Sequence, residues 1–259
     1  MSDHRLDFSG KVVIVTGGGK GVGLGITTRF LEHGATVLIC GRSEPETLPC
    51  VGDNTAEFFT LDVRDVDQIN DFMAEAEARH GRLDVLVNNA GGAPMADAAT
   101  ASPRFSEAII RLNLIAPLNF AQAANRLMQK NEGGSIINIA SVSAVRPSPG
   151  TAAYGAAKAG LVNLATSLAV EWAPKVRVNS VIAGLIRTEQ SHLHYGDEEG
   201  IREVGHTIPL NRMAVPTDIG DACLFLASDL SSYVSGSTVT VHGGGEKPKF
   251  LDAANTNKA

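Results

Sequence analysis

The stretch TGGGKGVG, residues 16–23, places five glycines among eight residues where a strand gives way to a helix. It follows the apolar run KVVIV and precedes LGITTRFLEHG, whose apolar residues recur at helical spacing. Glycine loses more backbone freedom on folding than other residues, so this cluster needs a geometric reason. A glycine turn ahead of a helix lets backbone N–H groups and the positive helix end approach a pyrophosphate. The stretch therefore predicts a phosphate-binding turn. Its spacing is not the usual GxGxxG, and a plain packing turn is the alternative.

Composition indicates a protein that handles small molecules. The 259 residues carry a formal net charge of -6, which would repel nucleic acid and anionic membranes. Cys40, Cys50 and Cys223 have no CxxC spacing and suit a reducing compartment. The polar start MSDHRLDFSG lacks a signal peptide's apolar segment, and no apolar run reaches the ~18 residues of a membrane span. We predict a cytoplasmic protein without membrane or nucleic-acid partners.

Short β-rich runs alternate with longer runs of helical period, which is typical of parallel strands joined by crossover helices. The predicted strands cover residues 12–16, 36–40, 57–60, 85–89, 135–140, 177–182 and 238–242. The predicted helices lie near 21–34, 65–80, 105–130, 151–172 and 216–228. The strands are apolar enough to be covered on both faces. The predicted fold class is α/β: a single doubly wound Rossmann-like domain over 1–259, with a parallel sheet of about seven strands and helices on both faces.

Several segments of this domain stand apart from the strands and helices. The core is predicted over about 8–245, with a polar substrate lid at about 189–206 and a loosely held tail at 246–259. Residues 41–55 contain two prolines and are predicted to form a loop. Pro117 is expected to bend or break the third helix, because proline lacks the N–H that continues the helical ladder.

The end of the second predicted strand bears on the choice of dinucleotide. Binders of this kind use a carboxylate there for a ribose diol or a cation for a 2′-phosphate. Here the strand ends in CGRS, with Arg42 and no acid before Glu44, and Lys20 lies in the glycine turn. Two cations favour NADP(H), because a phosphate gains charge-assisted hydrogen bonds from them. NAD(H) remains the alternative, with both cations solvated at the surface.

Tyr154 and Lys158 stand four residues apart in a helical-period segment, so their side chains project from one helix face. A phenol has a pKa near 10, and a nearby ammonium is expected to stabilise the phenolate and lower that value. The pair can therefore form an acid/base unit. The alternative is two unrelated residues on a half-exposed face.

These motifs, in this order, resemble the short-chain dehydrogenase/reductase superfamily from about residue 8 to Gly244. The matching stretches are TGGGKGVG (16–23), LDV (61–63), NNAG (88–91), LNLIAP (112–117), SIINIASVSA (135–144), YGAAK (154–158), RVNSVIAGLIRT (177–188) and SGSTVTVHGG (235–244). The resemblance implies an oxidoreductase that transfers a hydride between a nicotinamide cofactor and a secondary alcohol or ketone. It also implies a homotetramer or homodimer.

The resemblance implies a role for each matching residue. Tyr154 corresponds to the general acid/base, and Lys158 to the residue that lowers its pKa and holds the nicotinamide ribose. Ser141 corresponds to the donor to the substrate oxygen, and Asn113 to the residue that keeps a proton-relay water connected to Lys158. The implied cofactor contacts are Gly17, Lys20, Gly21, Val22, Gly23, Arg42, Asp62, Val63, Asn89, Ala90, Gly91, Tyr154, Lys158, Gly184, Ile186 and Thr188.

Two positions depart from the family pattern. The usual PG after the sixth strand is AG here, Ala183 and Gly184, so the following loop is expected to be less rigid. The usual DGG near the C-terminus is HGG, beginning at His242. His192 and His194 have no carboxylate or cysteine set at ligand spacing, and no metal site is predicted.

Substrate choice is expected in the loops 91–104 and 141–150 and in the lid. A wall built from Ala93, Pro94, Met95, Val142, Val145 and Leu185 predicts a lipophilic substrate, either a 3-oxoacyl thioester or an alicyclic or steroid-like ring. Arg146 at the rim is expected to meet an anionic CoA or carrier group. The alternatives are an NAD-dependent alcohol dehydrogenase of the same fold, a non-catalytic dinucleotide sensor and, less favoured, a methyltransferase.

Overall fold

A parallel sheet forms the centre of the computed structural model, which describes residues 6–253. The strands in chain order are β1 (Val12–Thr16), β2 (Thr36–Gly41), β3 (Cys50–Val51), β4 (Asn54–Thr55), β5 (Glu57–Thr60), β6 (Val85–Asn88), β7 (Gly134–Ser141), β8 (Val176–Ala183) and β9 (Thr238–Val241). Seven of them form one sheet in the order β5-β2-β1-β6-β7-β8-β9, and every neighbouring pair is parallel. The predicted fold class is confirmed.

Helices cover both faces of this sheet. In chain order they are α1 (Gly21–Glu32), α2 (Val66–His80), α3 (Pro103–Ile110), α4 (Ala116–Lys130), α5 (Ala152–Glu171), α6 (His192–Tyr195), α7 (Glu198–His206), α8 (Pro216–Ala227) and α9 (Phe250–Ala253). One apolar cluster packs α2, α4 and α5 against the sheet, and a second packs α1 and α8 on the opposite face. No helix within residues 6–253 is long and apolar enough to cross a membrane.

The central strands are apolar on both faces, as predicted, but the two edge strands are not. All five residues of β1 are buried, and β7 is buried from Ser135 to Ala140. In contrast, β5 and β9 are only partly buried, because each has a strand neighbour on one side only. β1 lies between β2 and β6, so the chain extends the sheet outward in both directions from this point. Such a switch opens a crevice at the carboxyl ends of the strands.

Short elements appear where the sequence predicted loops. β3 and β4 form an antiparallel hairpin within the 41–55 segment. The polar lid contains α6 and α7, and Asp197 caps α7 by accepting a hydrogen bond from the Gly200 N–H. The tail forms α9, and its final residues, 254–259, lie outside the described part.

The third predicted helix changes its winding near Pro117 rather than breaking there. A π turn over Arg111–Ile115 joins α3 to α4, and the Ala116 N–H donates to the Arg111 carbonyl. Pro117 follows in the first turn of α4, where its missing N–H costs least. Single π turns inserted in helices often occur at functional sites. Here the turn carries Asn113, which is fully buried.

Candidate active site

The glycine turn connects β1 to α1 through backbone conformations that favour glycine. Gly17 has φ +65° and Gly21 has φ +52°, both in the left-handed region. A Cβ at Gly23 would lie 2.2 Å from the Gly17 carbonyl oxygen and 2.6 Å from Asn89 Nδ2. The turn is therefore a cradle of backbone atoms at a helix N-terminus, and a side chain at position 23 would fill it.

Thr16 joins this turn to the neighbouring strand end, a role that we did not predict. Its Oγ1 accepts hydrogen bonds from the N–H groups of Asn89 and Ala90, each at 2.9 Å. Asn89 Nδ2 donates in return to the Thr16 carbonyl at 2.8 Å. The predicted contacts Gly17, Asn89 and Ala90 are thus brought together at the carboxyl ends of β1 and β6.

Charged side chains lie in the glycine turn and just after β2 and β5. Lys20 and Arg42 are exposed, and Asp62 lies near Arg42, whose charge helps to lower the pKa of Asp62. The larger cause is Arg64, which donates from Nε at 2.9 Å and from a terminal nitrogen at 2.5 Å, so the pKa of Asp62 falls to about 2. Sequence reasoning missed Arg64, although its position two residues after Asp62 in LDVR was a usable signal.

Tyr154 and Lys158 lie one turn apart on α5, as their spacing predicted. The Lys158 Nζ atom is 5.6 Å from the centre of the Tyr154 ring. Lys158 is only 3% exposed, and its Nζ donates to the Ile139 carbonyl of β7 at 2.8 Å. Burial disfavours the charged ammonium and lowers the pKa of Lys158 to about 8.

The expected lowering of the Tyr154 pKa is wrong for this structure. Burial raises the pKa of Tyr154, and a hydrogen bond with Ser141 acts in the opposite direction. Lys158 has a smaller effect on the Tyr154 pKa than burial has, because its Nζ donates to the Ile139 carbonyl and lies 5.6 Å from the centre of the ring. A four-residue spacing establishes a shared helix face, but it does not establish where the end of a long side chain points.

The loop that follows β6 lies close to both Asn113 and Lys158. The Asn113 side chain accepts from the Gly92 N–H and donates to the carbonyls of Gly92 and Ile109, each at 2.9 Å. A Cβ at Gly91 would lie 2.6 Å from Asn113 Oδ1 and 3.3 Å from Lys158 Nζ. Asn113 therefore fixes the Gly91–Gly92 backbone against the buried ammonium.

The segment after β8 faces the glycine turn. A Cβ at Gly21 would lie 3.8 Å from Thr188 Cγ2, which places Thr188 beside the turn. Ile186 forms a parallel bridge with Ala214, and the Arg187 N–H donates to the Ala214 carbonyl at 2.8 Å. The loop that follows Ala183 is thus held by backbone pairing in place of a proline. Gly184 packs against His242, and a Cβ at position 184 would lie 2.7 Å from its Cα.

Two cavities border these residues. One of about 350 Å³ contains Tyr154 and is lined mainly by alanines of the loop 93–101 and of α5, together with Phe105 and Ile109. The other, of about 630 Å³, extends from Gly21 and Thr188 to the lid residues Glu189, His192 and Glu198. Among residues 6–253 there is no group of three or more His, Cys, Asp or Glu side chains placed to hold a metal ion.

The predicted apolar wall is only partly correct. Ala93 and Pro94 line the cavity at Tyr154, but Met95 and Val145 are 69% and 66% exposed. Leu185 packs beneath the lid, in a cluster formed by Ile201, Ile208 and Met213. Apolar character alone does not distinguish a pocket wall from a small core under a lid.

Arg146 lies where the substrate loop, the lid and the tail meet. Its guanidinium forms an ion pair with Glu246 at 2.6 Å. The charges of Arg146 and Glu246 both act on the pKa of Tyr195 in α6, which burial raises. The first residue of the predicted tail is therefore bound to the rim of the substrate loop.

Comparison with known proteins agrees with this geometry. The sequence model of a family described as enoyl-(acyl carrier protein) reductase matches residues 17–246. The relative 3-oxoacyl-[acyl-carrier-protein] reductase FabG of Chlamydia muridarum is 36% identical over 242 residues, covering 90% of this chain and 96% of the relative. A 3alpha-hydroxysteroid dehydrogenase of Mediterraneibacter gnavus is 34% identical over 242 residues, with the same shares of 90% and 96%.

Solved structures show the same architecture. Ligand-free aldohexose dehydrogenase of Thermoplasma acidophilum superimposes with a TM-score of 0.85 at 30% identity, covering 92% of this chain and 94% of that one. A structure assigned to the short-chain dehydrogenase/reductases, from Burkholderia xenovorans, gives 0.82 at 33% identity, with shares of 92% and 96%. The chain therefore belongs to the short-chain dehydrogenase/reductase superfamily and is an NAD(P)-dependent oxidoreductase that interconverts CH–OH and keto groups.

Proposed function

We propose that the protein uses NADP(H) in preference to NAD(H) and acts on a lipophilic ketone or secondary alcohol, with Tyr154 as the acid/base. The observation that supports this most is the meeting of Ser141, Tyr154, Lys158 and Asn113 at the carboxyl ends of the central strands, beside the glycine turn. Each of these groups is held by its own hydrogen bond or by burial.

A nicotinamide cofactor, when bound, would supply or accept the hydride, and the residues of this chain would bind the substrate oxygen and move its proton. In the reducing direction, negative charge grows on that oxygen as the carbonyl carbon is reduced. Ser141 donates a hydrogen bond to the oxygen, and the Tyr154 O–H delivers the proton. Oxidation of an alcohol reverses these steps. The raised pKa of Tyr154 keeps its proton in place until the substrate oxygen becomes basic.

Lys158 acts on the phenolate that this transfer leaves. When protonated, its ammonium lies 5.6 Å from the ring in a buried setting, where a charge interacts more strongly than in water. The Ile139 carbonyl holds the ammonium in place. Asn113 fixes the loop that packs against it. Lys158 therefore favours the phenolate of Tyr154, and this effect opposes the rise in the Tyr154 pKa that burial causes.

The cofactor fits the residues around the glycine turn. The cradle formed by Gly17 and Gly23 admits a pyrophosphate because no Cβ occupies it. Lys20 in the glycine turn and Arg42 after β2 are both exposed and are available to a 2′-phosphate. Asp62 is already paired with Arg64, so we assign the adenine contact to this pair and not to a free carboxylate.

The two cations provide a test of cofactor preference. We expect Arg42→Ala to weaken NADPH binding by roughly tenfold or more and to leave NADH binding nearly unchanged, because only NADPH carries the phosphate. Lys20→Ala should act in the same direction. Fluorescence titration with both cofactors measures the effect, and Arg104→Ala, an exposed arginine of α3, is the control. Tighter binding of NADH than of NADPH by the unaltered protein would contradict the assignment.

A second test concerns the cradle itself. We expect Gly23→Ala to reduce the affinity for either cofactor by roughly tenfold or more, because the added Cβ overlaps the Gly17 carbonyl and pushes the turn apart. Gly205→Ala is the matched control, since its Cβ would lie 3.4 Å from the nearest atom. Thermal unfolding of both variants separates loss of the turn from loss of the fold. Unchanged cofactor binding by a folded Gly23→Ala protein would exclude the proposed cradle.

The lipophilic substrate class is supported by the cavity at Tyr154, where alanines, Phe105 and Ile109 predominate. The relatives named above act, by their names, on 3-oxoacyl groups carried by a protein, on a steroid hydroxyl and on an aldohexose. The first two classes suit an apolar cavity. We assign the binding of a CoA or carrier phosphate to Arg146, because a guanidinium can donate two hydrogen bonds to a phosphate. NAD-dependent oxidation of an alcohol on the same fold is the alternative function.

A substrate panel tests this assignment. We expect NADPH-dependent reduction of acetoacetyl-CoA, trans-1-decalone or a 3-oxo steroid, and little NADP-dependent oxidation of glucose, because the cavity offers a sugar few hydrogen-bond partners. Absorbance of NADPH at 340 nm measures both directions. Turnover confined to the aldohexose would overturn the lipophilic assignment and leave the oxidoreductase chemistry intact.

A further inference from the structure

Four side-chain hydroxyls form a chain from Ser141 to the start of α5. The Ser141 O–H donates to Ser143 Oγ at 3.3 Å, and Ser143 Oγ lies 3.1 Å from Ser148 Oγ. Ser148 Oγ lies 2.6 Å from Thr151 Oγ1, and the Thr151 hydroxyl also reaches the Ser148 carbonyl at 3.3 Å. All four residues are partly buried. The mechanism proposed above uses only the first of them.

Ser143 holds Ser141 at two points. Its backbone N–H donates to Ser141 Oγ at 3.2 Å, and its side-chain oxygen accepts the Ser141 hydrogen. A serine side chain on its own has three staggered rotamers of similar energy. The two contacts with residue 143 select one of them. In this rotamer Ser141 also reaches Tyr154.

Thr151, the last of the four hydroxyl residues, does not make the hydrogen bond that is usual at its position. Thr151 occupies the N-cap of α5, where a threonine hydroxyl normally accepts a hydrogen bond from the first helical turn. It makes no such bond here, and its hydroxyl contacts Ser148 instead. Ser143 is also fixed through its backbone, since its carbonyl packs on Gly155, where a Cβ would lie 2.9 Å away. The chain is thus anchored on the helix turn that carries Tyr154.

We propose that Ser143, supported by Ser148 and Thr151, is a positioning residue for Ser141. It holds the Ser141 hydroxyl where a rotation about Cβ–Oγ moves the hydrogen from Ser143 Oγ to the substrate oxygen. Every hydroxyl keeps its own hydrogen, and no proton travels along the chain. The backbone N–H of Ser143 stays bonded to Ser141 Oγ throughout and strengthens it as a donor. This proposal rests on the role of Ser141 in the proposed function.

The test measures whether Ser143 acts only through Ser141. Loss of one neutral hydrogen bond corresponds to a rate change of roughly fivefold. We therefore expect Ser143→Ala to lower kcat roughly fivefold with KM nearly unchanged, and Ser148→Ala to lower it by about twofold. Ser143→Thr, which keeps the hydroxyl, should restore most of the rate. In the Ser141→Ala background, Ser143→Ala should have no further effect.

The assay uses NADPH with acetoacetyl-CoA or trans-1-decalone, whichever the unaltered protein reduces faster. Ser167→Ala, an exposed serine on α5, is the matched control. The pH profile of kcat is a second readout, because one limb of this profile reports the pKa of Tyr154. Ser141 has a single hydrogen, which Ser143 Oγ accepts, and a hydrogen bond from Ser141 lowers the pKa of Tyr154. Ser143→Ala leaves Ser141 free to turn its hydrogen from the substrate oxygen to Tyr154, so we expect the Tyr154 limb to move to lower pH. A structural role alone would leave the limb in place.

Each outcome bears on a different statement. If Ser143→Ala costs as much in the Ser141→Ala background as alone, or if its rate equals that of Ser167→Ala, the positioning role is excluded. A Tyr154 limb that stays in place or moves to higher pH would also exclude it, because Ser143 would then not be holding the Ser141 hydrogen away from Tyr154. If Ser141→Ala itself keeps the full rate, the proposed catalytic set is at fault, and not the chain of hydroxyls alone.

Discussion

Replacing Tyr154 by phenylalanine is expected to lower kcat by roughly 10³-fold, because the variant has no proton to exchange with the substrate oxygen. The ring remains, so the packing around Lys158 and the cofactor cradle should persist. We expect NADPH affinity to stay within about twofold, because the cofactor's binding energy comes mainly from the phosphate contacts. Steady-state kinetics and fluorescence titration of the same preparation measure both quantities.

Tyr233→Phe is the control for this change. Tyr233 is fully exposed, and its hydroxyl lies outside the proposed site. It should keep the activity of the unaltered protein. If Tyr154→Phe retained its full rate, Tyr154 would not be the acid/base, and another proton donor would have to be sought around the same cavity.

Lys158→Met is expected to lower the activity of the protein and to raise its stability. The variant loses the charge that favours the phenolate, and we expect kcat to fall by roughly 10²-fold. It also removes a buried ammonium. Burial lowers the pKa of Lys158 from its ordinary value of 10.5 to about 8. At about 1.4 kcal/mol per pH unit, keeping Lys158 charged therefore destabilises the folded protein by about 3 kcal/mol. Near pH 7 the variant should therefore be the more stable protein.

The pH dependence of this difference follows from the direction of the pKa. The unfolded chain keeps the Lys158 proton up to about pH 10.5, whereas the folded protein loses it above about pH 8. Between these values the unfolded state binds more protons, so the folded state gains stability as the pH rises. The advantage of Lys158→Met should be largest below pH 8 and shrink by about 3 kcal/mol towards pH 10.5.

Urea unfolding of both proteins between pH 7 and pH 10 measures that difference directly. Lys130→Met is the control, because Lys130 is 62% exposed and pairs with Glu77 at the surface. Its difference from the unaltered protein should stay nearly constant over the same range. A gap between Lys158→Met and the unaltered protein that widened with pH would mean that Lys158 is stabilised as a cation in the folded state.

The sheet could be predicted closely because its strands are short β-branched runs with turn residues on both sides. β1 and β5 have the predicted limits, and the others differ by a residue at one or both ends. What escaped prediction was local and short. The hairpin Cys50–Thr55 lies in a stretch with two prolines, and α6 has only four residues. α7 had a visible signal in Asp197 followed by two glutamates, but its polar composition suggested a loop.

The site could be predicted as a set of positions but not as a set of contacts. The resemblance identified Asn113, Ser141, Tyr154 and Lys158, and the structure brings them to one place. It could not indicate that Lys158 points at the Ile139 carbonyl or that Asp62 pairs with Arg64, because side-chain direction depends on packing. Thr16 and Ser143 were missed for the same reason, since a hydroxyl in a loop has many possible partners.

The ion pair between Arg146 and Glu246 has a practical consequence. Glu246 follows Arg146 by 100 residues, so the pair joins the segment after β9 to the loop after β7. A purification tag fused on the C-terminal side of Glu246 would bring its own charges towards this pair, and a histidine tag would add positive charge at low pH. Kinetic constants for this enzyme are therefore best compared between protein that carries such a tag and protein from which it has been cleaved.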